Sequence, residues 1–410
     1  LPMATTYRID VAPLTVEAIG RLAAEAASKV DPEAIHRQTG GNAFYATEIL
    51  AADPRAPDVP STVRAAVMAR VASLSEKAQR LVEVTAVSPG ALEYEYAVVL
   101  SAADDEVIDE ATGSGVLTME RSRLRFRHEL ARLAVVAATP PGRSRGLHQG
   151  LLDLLIEEQV SDASRLAHHA IELGDGESVV RYAVEAADQA EARGSNREAR
   201  DYLVQLLNVV DSGRATVDSS TRTEWMIRLG SLLRLHGDNE EAVALLERAT
   251  SDARQNQDAT ALSTALRILA GAHRNTGNTT RARQLADQAV TVAAEAGAVA
   301  AHARALTDAA FLAMLRRQSR SAIELAERAR QLTAPLRSDP TVAATDAEAE
   351  HALACANLIG GSVDEAIAHL TRLEREADAV GAQSARTRLA INLGSGSGEV
   401  RRYDEARRWL

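Results

Sequence analysis

The sequence predicts a mainly α protein in which short helical segments and one β-hairpin precede a long array of helix pairs, and three observations carry that expectation. Alanine and leucine dominate a chain of 410 residues with only 3% aromatic content, a composition that favours closely packed helices over sheets. Ala199, Ala242, Ala282, Ala322, Ala366 and Ala406 each end a turn-plus-cap pattern, at successive spacings of 43, 40, 40, 44 and 40 residues, which marks a repeat of about 40 residues. Upstream of that array, Thr15, Asp31 and Ser75 stand where helix N-caps are expected.

With 46% hydrophobic residues the chain can bury several cores, so two or three domains are expected, and we place them at 1–53, 54–147 and 148–410. Tyr7-Arg8-Ile9-Asp10-Val11 alternates as a strand does, and one strand is not stable alone, so its sheet partners lie elsewhere. Thr15 then caps a helix with Glu17 in its first turn and Ala18, Ile19, Leu22 and Ala26 along its apolar stripe. Asp31 and Pro32 open a second helix, which ends at Thr39-Gly40-Gly41-Asn42 before a third begins at Phe44. Two adjacent glycines let backbone approach a flat ligand, and the following helix N-terminus offers free N–H groups. The same residues also read as punctuation, Gly40 being a C-cap and Asn42 an N-cap.

A proline-rich connector over 53–60 delivers a helix from Val63 to Leu74, capped by Ser61 or Thr62. A second follows, capped by Ser75, with Ala78, Leu81, Val82 and Thr85 on one face, until Ser88-Pro89-Gly90 breaks it. Helices over Tyr94–Ala102 and from Asp104 or Asp105 to Thr112 lead to two short strands, Val116–Met119 and Arg123–Arg127, joined by a tight turn at Glu120-Arg121-Ser122. Helices followed by a hairpin are the order of a winged helix. Its last helix carries Asp104, Asp105, Glu106, Asp109 and Glu110 and no base, which argues against DNA binding, as does the net charge of -11.

In the array the chemistry repeats with the spacing. In Gly237-Asp238-Asn239-Glu240-Glu241-Ala242 and again in Gly277 to Ala282, glycine supplies a left-handed C-cap, a short polar residue caps the next helix, and alanine permits close helix crossing. The face Ala242, Leu245, Leu246, Ala249 recurs as Ala282, Leu285, Ala286, Ala289 and as Ala322, Leu325, Ala326, Ala329. The copy at Ala366 puts His369 at the first leucine position, either lining the groove or packing in part. Preceding helices such as Trp225–Leu235, Ala261–His273 and Ala301–Leu315 complete the pairs. The array resembles a tetratricopeptide-like superhelix with a longer unit, whose concave surface suits a protein or small-molecule effector. Trp409 and Leu410 stop in mid-repeat, so self-association through that end is expected.

With these residues in place, the chain resembles the central part of bacterial LuxR-type, maltose-regulator-like transcription regulators that carry a STAND-class ATPase. Thr39 to Leu50 is similar to that family's TGGNPFF-x-x-E-L-L lid motif, Val59 to Arg70 to its VP-x-x-VR-x-A-x-x-x-R helix, and Phe126 to Arg132 to its F-x-H-x-L-x-R segment. Gly142 to His148 and Leu166 to Ala170 match in order and spacing as well. The resemblance implies a switch in which bound ADP locks an arm that ATP releases for oligomerisation. It places Gly40, Gly41 and Asn42 against adenine and ribose, and His128 against a phosphate of the locked nucleotide. An imidazole can donate a hydrogen bond to phosphate, more strongly when protonated. Ala43 stands where the family has proline, which leaves the turn less rigid.

Catalysis by this chain itself is not expected. Neither lysine, Lys29 or Lys77, has the glycines of a G-x-x-x-x-G-K-[ST] phosphate loop before it, so ATP or ADP with magnesium belongs to a presumed parent protein acting as a slow switch ATPase. His168 and His169 are adjacent and point about 100° apart on a helix, which argues against one shared metal. Cys355 lies among Ala352, Leu353 and Ala354 as a small buried side chain. No apolar run spans a bilayer and a single cysteine fits a reducing compartment, so a cytoplasmic location is expected. Two further settings suit the same module: attachment to a signalling enzyme such as a nucleotide cyclase, or a free-standing repeat scaffold. Residues before Leu1 and after Leu410 distinguish the three.

Overall fold

The computed structural model describes residues 12–25, 31–51, 61–336, 339–379, 389–394, 397–398 and 403–409. The expected strand Tyr7–Val11, the connector 53–60, Leu410 and the side chain of Trp409 lie outside them. The chain is mainly helical and divides into two compact units, Leu1–Ala186 and Ala187–Leu410.

The first unit opens with three short helices, α1 (Val16–Glu25), α2 (Pro32–Thr39) and α3 (Ala43–Ala51). The expected caps are in place: Thr15 Oγ1 accepts from Ala18 N–H at 3.2 Å, and Asp31 Oδ1 accepts from Glu33 N–H at 3.1 Å, with Pro32 at the first helical position. Each satisfies a backbone donor that the helix start leaves free. Ile19, Ala23, Ile35, Ala46 and Leu50 form the core of this three-helix segment.

Next come α4 (Ser61–Ala72), α5 (Glu76–Val87), β1 (Leu92–Glu93), α6 (Tyr94–Ser101), α7 (Asp105–Gly113), the hairpin β2 (Leu117–Glu120) and β3 (Arg123–Phe126), and α8 (Glu129–Ala138). Ser75 and Asp104 cap α5 and α7 through Ala78 and Val107. Arg121 and Ser122 both take positive φ, 49° and 60°, the turn that matches strand twist in a two-residue hairpin. The third strand was not anticipated. β1 pairs antiparallel with β3, Leu92 opposite Leu124, so the sheet order is β1-β3-β2. Leu81, Val82, Leu92, Ile108, Leu117 and Leu124 are fully or almost fully buried between these helices and the sheet. Helices α9 (Pro141–Glu157), α10 (Ala163–Leu173) and α11 (Gly176–Ala192) follow, and the division into units falls inside α11.

The second unit begins with the end of α11 and α12 (Asn196–Asp211). It then stacks helix pairs: α13 (Ser219–His236) with α14 (Asn239–Gln255), α15 (Ala259–Asn275) with α16 (Thr279–Glu295), α17 (Val299–Leu315) with α18 (Ser319–Thr333), and α19 (Pro340–Gly360) with α20 (Val363–Ala379). The six repeat alanines are all buried, none more than 8% exposed, which is what close crossing of two backbones requires. Successive first helices, α13, α15, α17 and α19, also pack on one another, and no comparably close contacts join α14 to α16 or α16 to α18 among the described residues. First helices therefore form the inner layer of the stack.

Glycine holds the left-handed turn at Gly237 and Gly277, with φ of 92° and 83°, but the third copy differs: Arg317 takes that conformation at φ 56°. His369 is neither free nor apolar packing. Its Nε2 lies 3.4 Å from Oε2 of the buried Glu350, which also accepts from Arg372 at 2.6 Å. Cys355 is buried, and desolvation pushes its thiol up to about 12.

Candidate functional site

The turn between α2 and α3 is shaped by local chemistry. Thr39 Oγ1 donates to Ile35 O at 2.8 Å and accepts from Gly41 N–H at 3.2 Å, and both residues are buried. Gly40 ends α2 at φ 59° and its N–H returns to His36 O, while Asn42 caps α3 through Tyr45 N–H at 3.3 Å. Gly41 is required for a separate reason. Its carbonyl accepts from Leu14 N–H at 2.7 Å, and a β-carbon there would stand 2.5 Å from the Leu14 carbonyl oxygen. The punctuation reading of these residues is thus realised in the backbone, and it leaves the outer side of Gly40 open to a neighbour.

That neighbour is His128. The residue is the N-cap of α8 without a side-chain cap bond, and its ring lies against Gly40, whose β-carbon would be 3.3 Å from Nδ1. Tyr45 meets the ring edge-on at a centroid distance of 5.1 Å. Nδ1 is buried and has no hydrogen-bond partner among the described residues. Burial holds the imidazole below its ordinary pKa, a hydrogen bond between the ring and the Thr39 backbone works the other way, and the charges of Arg127 and Arg70 add to the lowering. The structure therefore brings His128 to the Gly40-Gly41-Asn42 turn, with the charges of Arg127 and Arg70 acting on its ring.

The other histidines of the first unit sit together as well. His148 on α9 joins His168 and His169 on α10, and one ring nitrogen from each lies within 4.8 Å of the others. Adjacent spacing of His168 and His169 concerns α10 alone, and the third ring comes from α9. Nδ1 of His148 is 2.9 Å from Nδ1 of His169, so one donates to the other, and both rings are buried. Desolvation pushes His148 down to about 4 and His169 lower still. His168 Nε2 donates to Val87 O at 3.2 Å, and Arg132 donates to Ala86 O at 2.8 Å, so two carbonyls at the C-terminus of α5 gain partners. Arg132 and Arg165 act on the rings with positive charge and Glu172 with negative charge, and Nδ1 of His148 and Nδ1 of His169 are engaged with each other. The set is a structural lock between α5, α9 and α10.

In the second unit a cavity of about 480 Å³ opens on the inner layer, lined from α13, α15, α17 and α19 and by residues 391–392. No single sequence motif marks it. Its lining residues are spread over more than a hundred positions and share a face only once the helix pairs stack.

No family model matches the chain, and no curated protein matches it. Among solved structures, a signal transduction ATPase with numerous domains (STAND) and a tetratricopeptide repeat sensor from Pyrococcus horikoshii is similar over 97% of this chain at 13% identity and a TM-score of 0.43. This chain spans 65% of that protein's length. A Rap protein complexed with competence and sporulation factor is similar over 84% of this chain and 96% of its own at 11% identity and a TM-score of 0.47. Aspartyl phosphate phosphatase F from Bacillus subtilis follows at 10% identity, covering 82% and 92%, with a TM-score of 0.41. Among the described residues no helix is long and apolar enough to cross a membrane.

Proposed function

We propose that this chain is the regulatory segment of a nucleotide-switched signalling protein of the LuxR-type STAND class. In this reading Gly40, Gly41, Asn42 and His128 meet the nucleotide and the helix-pair array receives a protein or small-molecule effector. The supporting observation is the approach of His128 to the Gly40 turn, where its buried Nδ1 has no hydrogen-bond partner among the described residues. A buried polar atom left unpaired is unfavourable by about 1–3 kcal/mol, and an ADP phosphate oxygen accepting from Nδ1–H would relieve it. Arg70 and Arg127, whose charges already act on the ring, would favour the same anion. ADP with magnesium would supply the switch signal. This chain's own part is to present the turn and the imidazole.

The order of elements from α5 through β3, with β1 completing the sheet, supports reading that segment as a winged helix placed between lid and array. Its acidic α7 supports a connecting role rather than a DNA-reading one. The test is calorimetry with ADP on this chain joined to a phosphate-loop ATPase domain. His128→Ala is expected to weaken ADP binding and raise basal output, and unchanged ADP affinity would overturn the assignment.

A further inference from the structure

The inner-layer cavity carries more positive charge than its own acids neutralise. Three guanidiniums reach it, Arg234 from α13 and Arg267 and Arg274 from α15, against Asp308 on α17 and Glu348 on α19. Arg267 is committed, since its Nη1 donates to Asp308 Oδ2 at 2.8 Å. Arg234 and Arg274 have no carboxylate within 4.0 Å among the described residues; Arg274 reaches only the amide oxygen of Asn275, at 3.4 Å. Arg234 Nε is buried without a partner. Burial, Arg274 and Arg267 all disfavour the charged form of Arg234, and only Asp308 opposes them.

The position of Arg234 is built in. Gly271 sits inside α15, four residues before its end, where glycine weakens a helix by about 1 kcal/mol relative to alanine. A β-carbon at that point would come within 3.2 Å of Arg234 Cδ. Glycine therefore makes room for the arginine stem to lie across α15 and to deliver its guanidinium into the cavity. A charge left uncompensated in a half-buried site is unfavourable, and in a chain of net charge -11 a local positive focus also draws anions towards the opening. Phe311 supplies an aromatic wall beside the arginines.

We propose that this cavity binds a small organic anion, a carboxylate or a phosphate monoester on a compact ring-sized body, with its oxygens held between Arg234 and Arg274 and its body against Phe311. Planar guanidiniums suit either oxyanion, and the volume lies within the range of small-molecule pockets. The proposal deepens the reading of the array as an effector site and is independent of the nucleotide assignment.

The test uses the full chain with two probes, phenyl phosphate and 3-phenylpropionate, measured by thermal unfolding and calorimetry against sodium chloride at equal ionic strength. At least one probe should raise the unfolding midpoint at concentrations up to roughly 10 mM; which one does so distinguishes phosphate from carboxylate recognition. Arg234→Gln and Arg274→Gln should each weaken binding at least about tenfold. Arg222→Gln, on α13 but paired with Asp211 and Asp252, and His128→Ala should leave it intact. Arg234→Gln should also raise the midpoint of the ligand-free protein, because it removes an unmatched charge. If neither probe stabilises the chain beyond chloride, or if stabilisation persists in both glutamine variants, the proposal fails.

Discussion

The imidazole of His128 fills the side of Gly40 that a side chain would occupy: a β-carbon there would lie 3.3 Å from Nδ1 and 3.6 Å from Cε1. Gly40→Ala should therefore press on the ring and also strain a left-handed residue, a combined loss of about 1–2 kcal/mol. Gly41→Ala should be worse, because its methyl would meet the Leu14 carbonyl oxygen at 2.5 Å and backbone cannot turn away as a side chain can. Urea unfolding of both variants checks the order, and hydrogen exchange at the Leu14 amide should accelerate most in Gly41→Ala.

The buried histidine pair makes stability depend on pH. In the unfolded chain histidine titrates near 6.5, whereas in the fold His148 is held at about 4 and His169 below it. Between those values the unfolded state binds more protons, so stability is full above pH 6.5 and falls on acidification towards pH 4. Each histidine can contribute up to about 1.4 kcal/mol per pH unit. His148→Gln should flatten the slope of denaturation free energy between pH 7 and 5; a slope equal to that of wild type would show that other groups carry it.

Arg317 occupies a turn position that glycine holds elsewhere in the array, at φ 56°. A non-glycine residue there is unfavourable by about 1 kcal/mol. Arg317→Gly is expected to raise the thermal midpoint of the chain, and a lowered midpoint would mean that the arginine side chain contributes more than its backbone strain removes.

Gly230 on α13 faces Leu246 on α14, and a β-carbon would stand 2.6 Å from Leu246 Cγ. Leu246 is completely buried, so Gly230→Ala should overpack the pair and destabilise the unit by about 1–3 kcal/mol. Combining it with Leu246→Ala should give less loss than the two single changes summed.

The array was legible because its signal is redundant. Each repeat alanine recurs at nearly constant spacing and each is buried at a helix crossing. Thr15, Asp31, Ser75 and Asp104 could be read as caps because one side chain serves one nearby amide. β1 was not legible: two residues, Leu92 and Glu93, are too few to show alternation, and only Leu124 and Arg123 across the sheet define them as a strand. Arg317 escaped because the turn keeps its left-handed geometry without a glycine to mark it. The meeting of Gly40 with His128 joins residues 88 positions apart, and only the resemblance, not periodicity, linked them beforehand. Nothing in the sequence set Arg234, Arg267 and Arg274 apart, because only the stacking of α13, α15 and α17 brings them to one cavity.

Titration of the His128 ring by NMR, with and without ADP in this chain joined to a phosphate-loop ATPase domain, tests the switch reading most directly. Without nucleotide the ring should titrate below the ordinary histidine value, as its burial and the two arginines dictate. With ADP bound, a phosphate beside Nδ1 should raise that pKa and shift the ring resonances. A titration curve unchanged by saturating ADP would contradict the account.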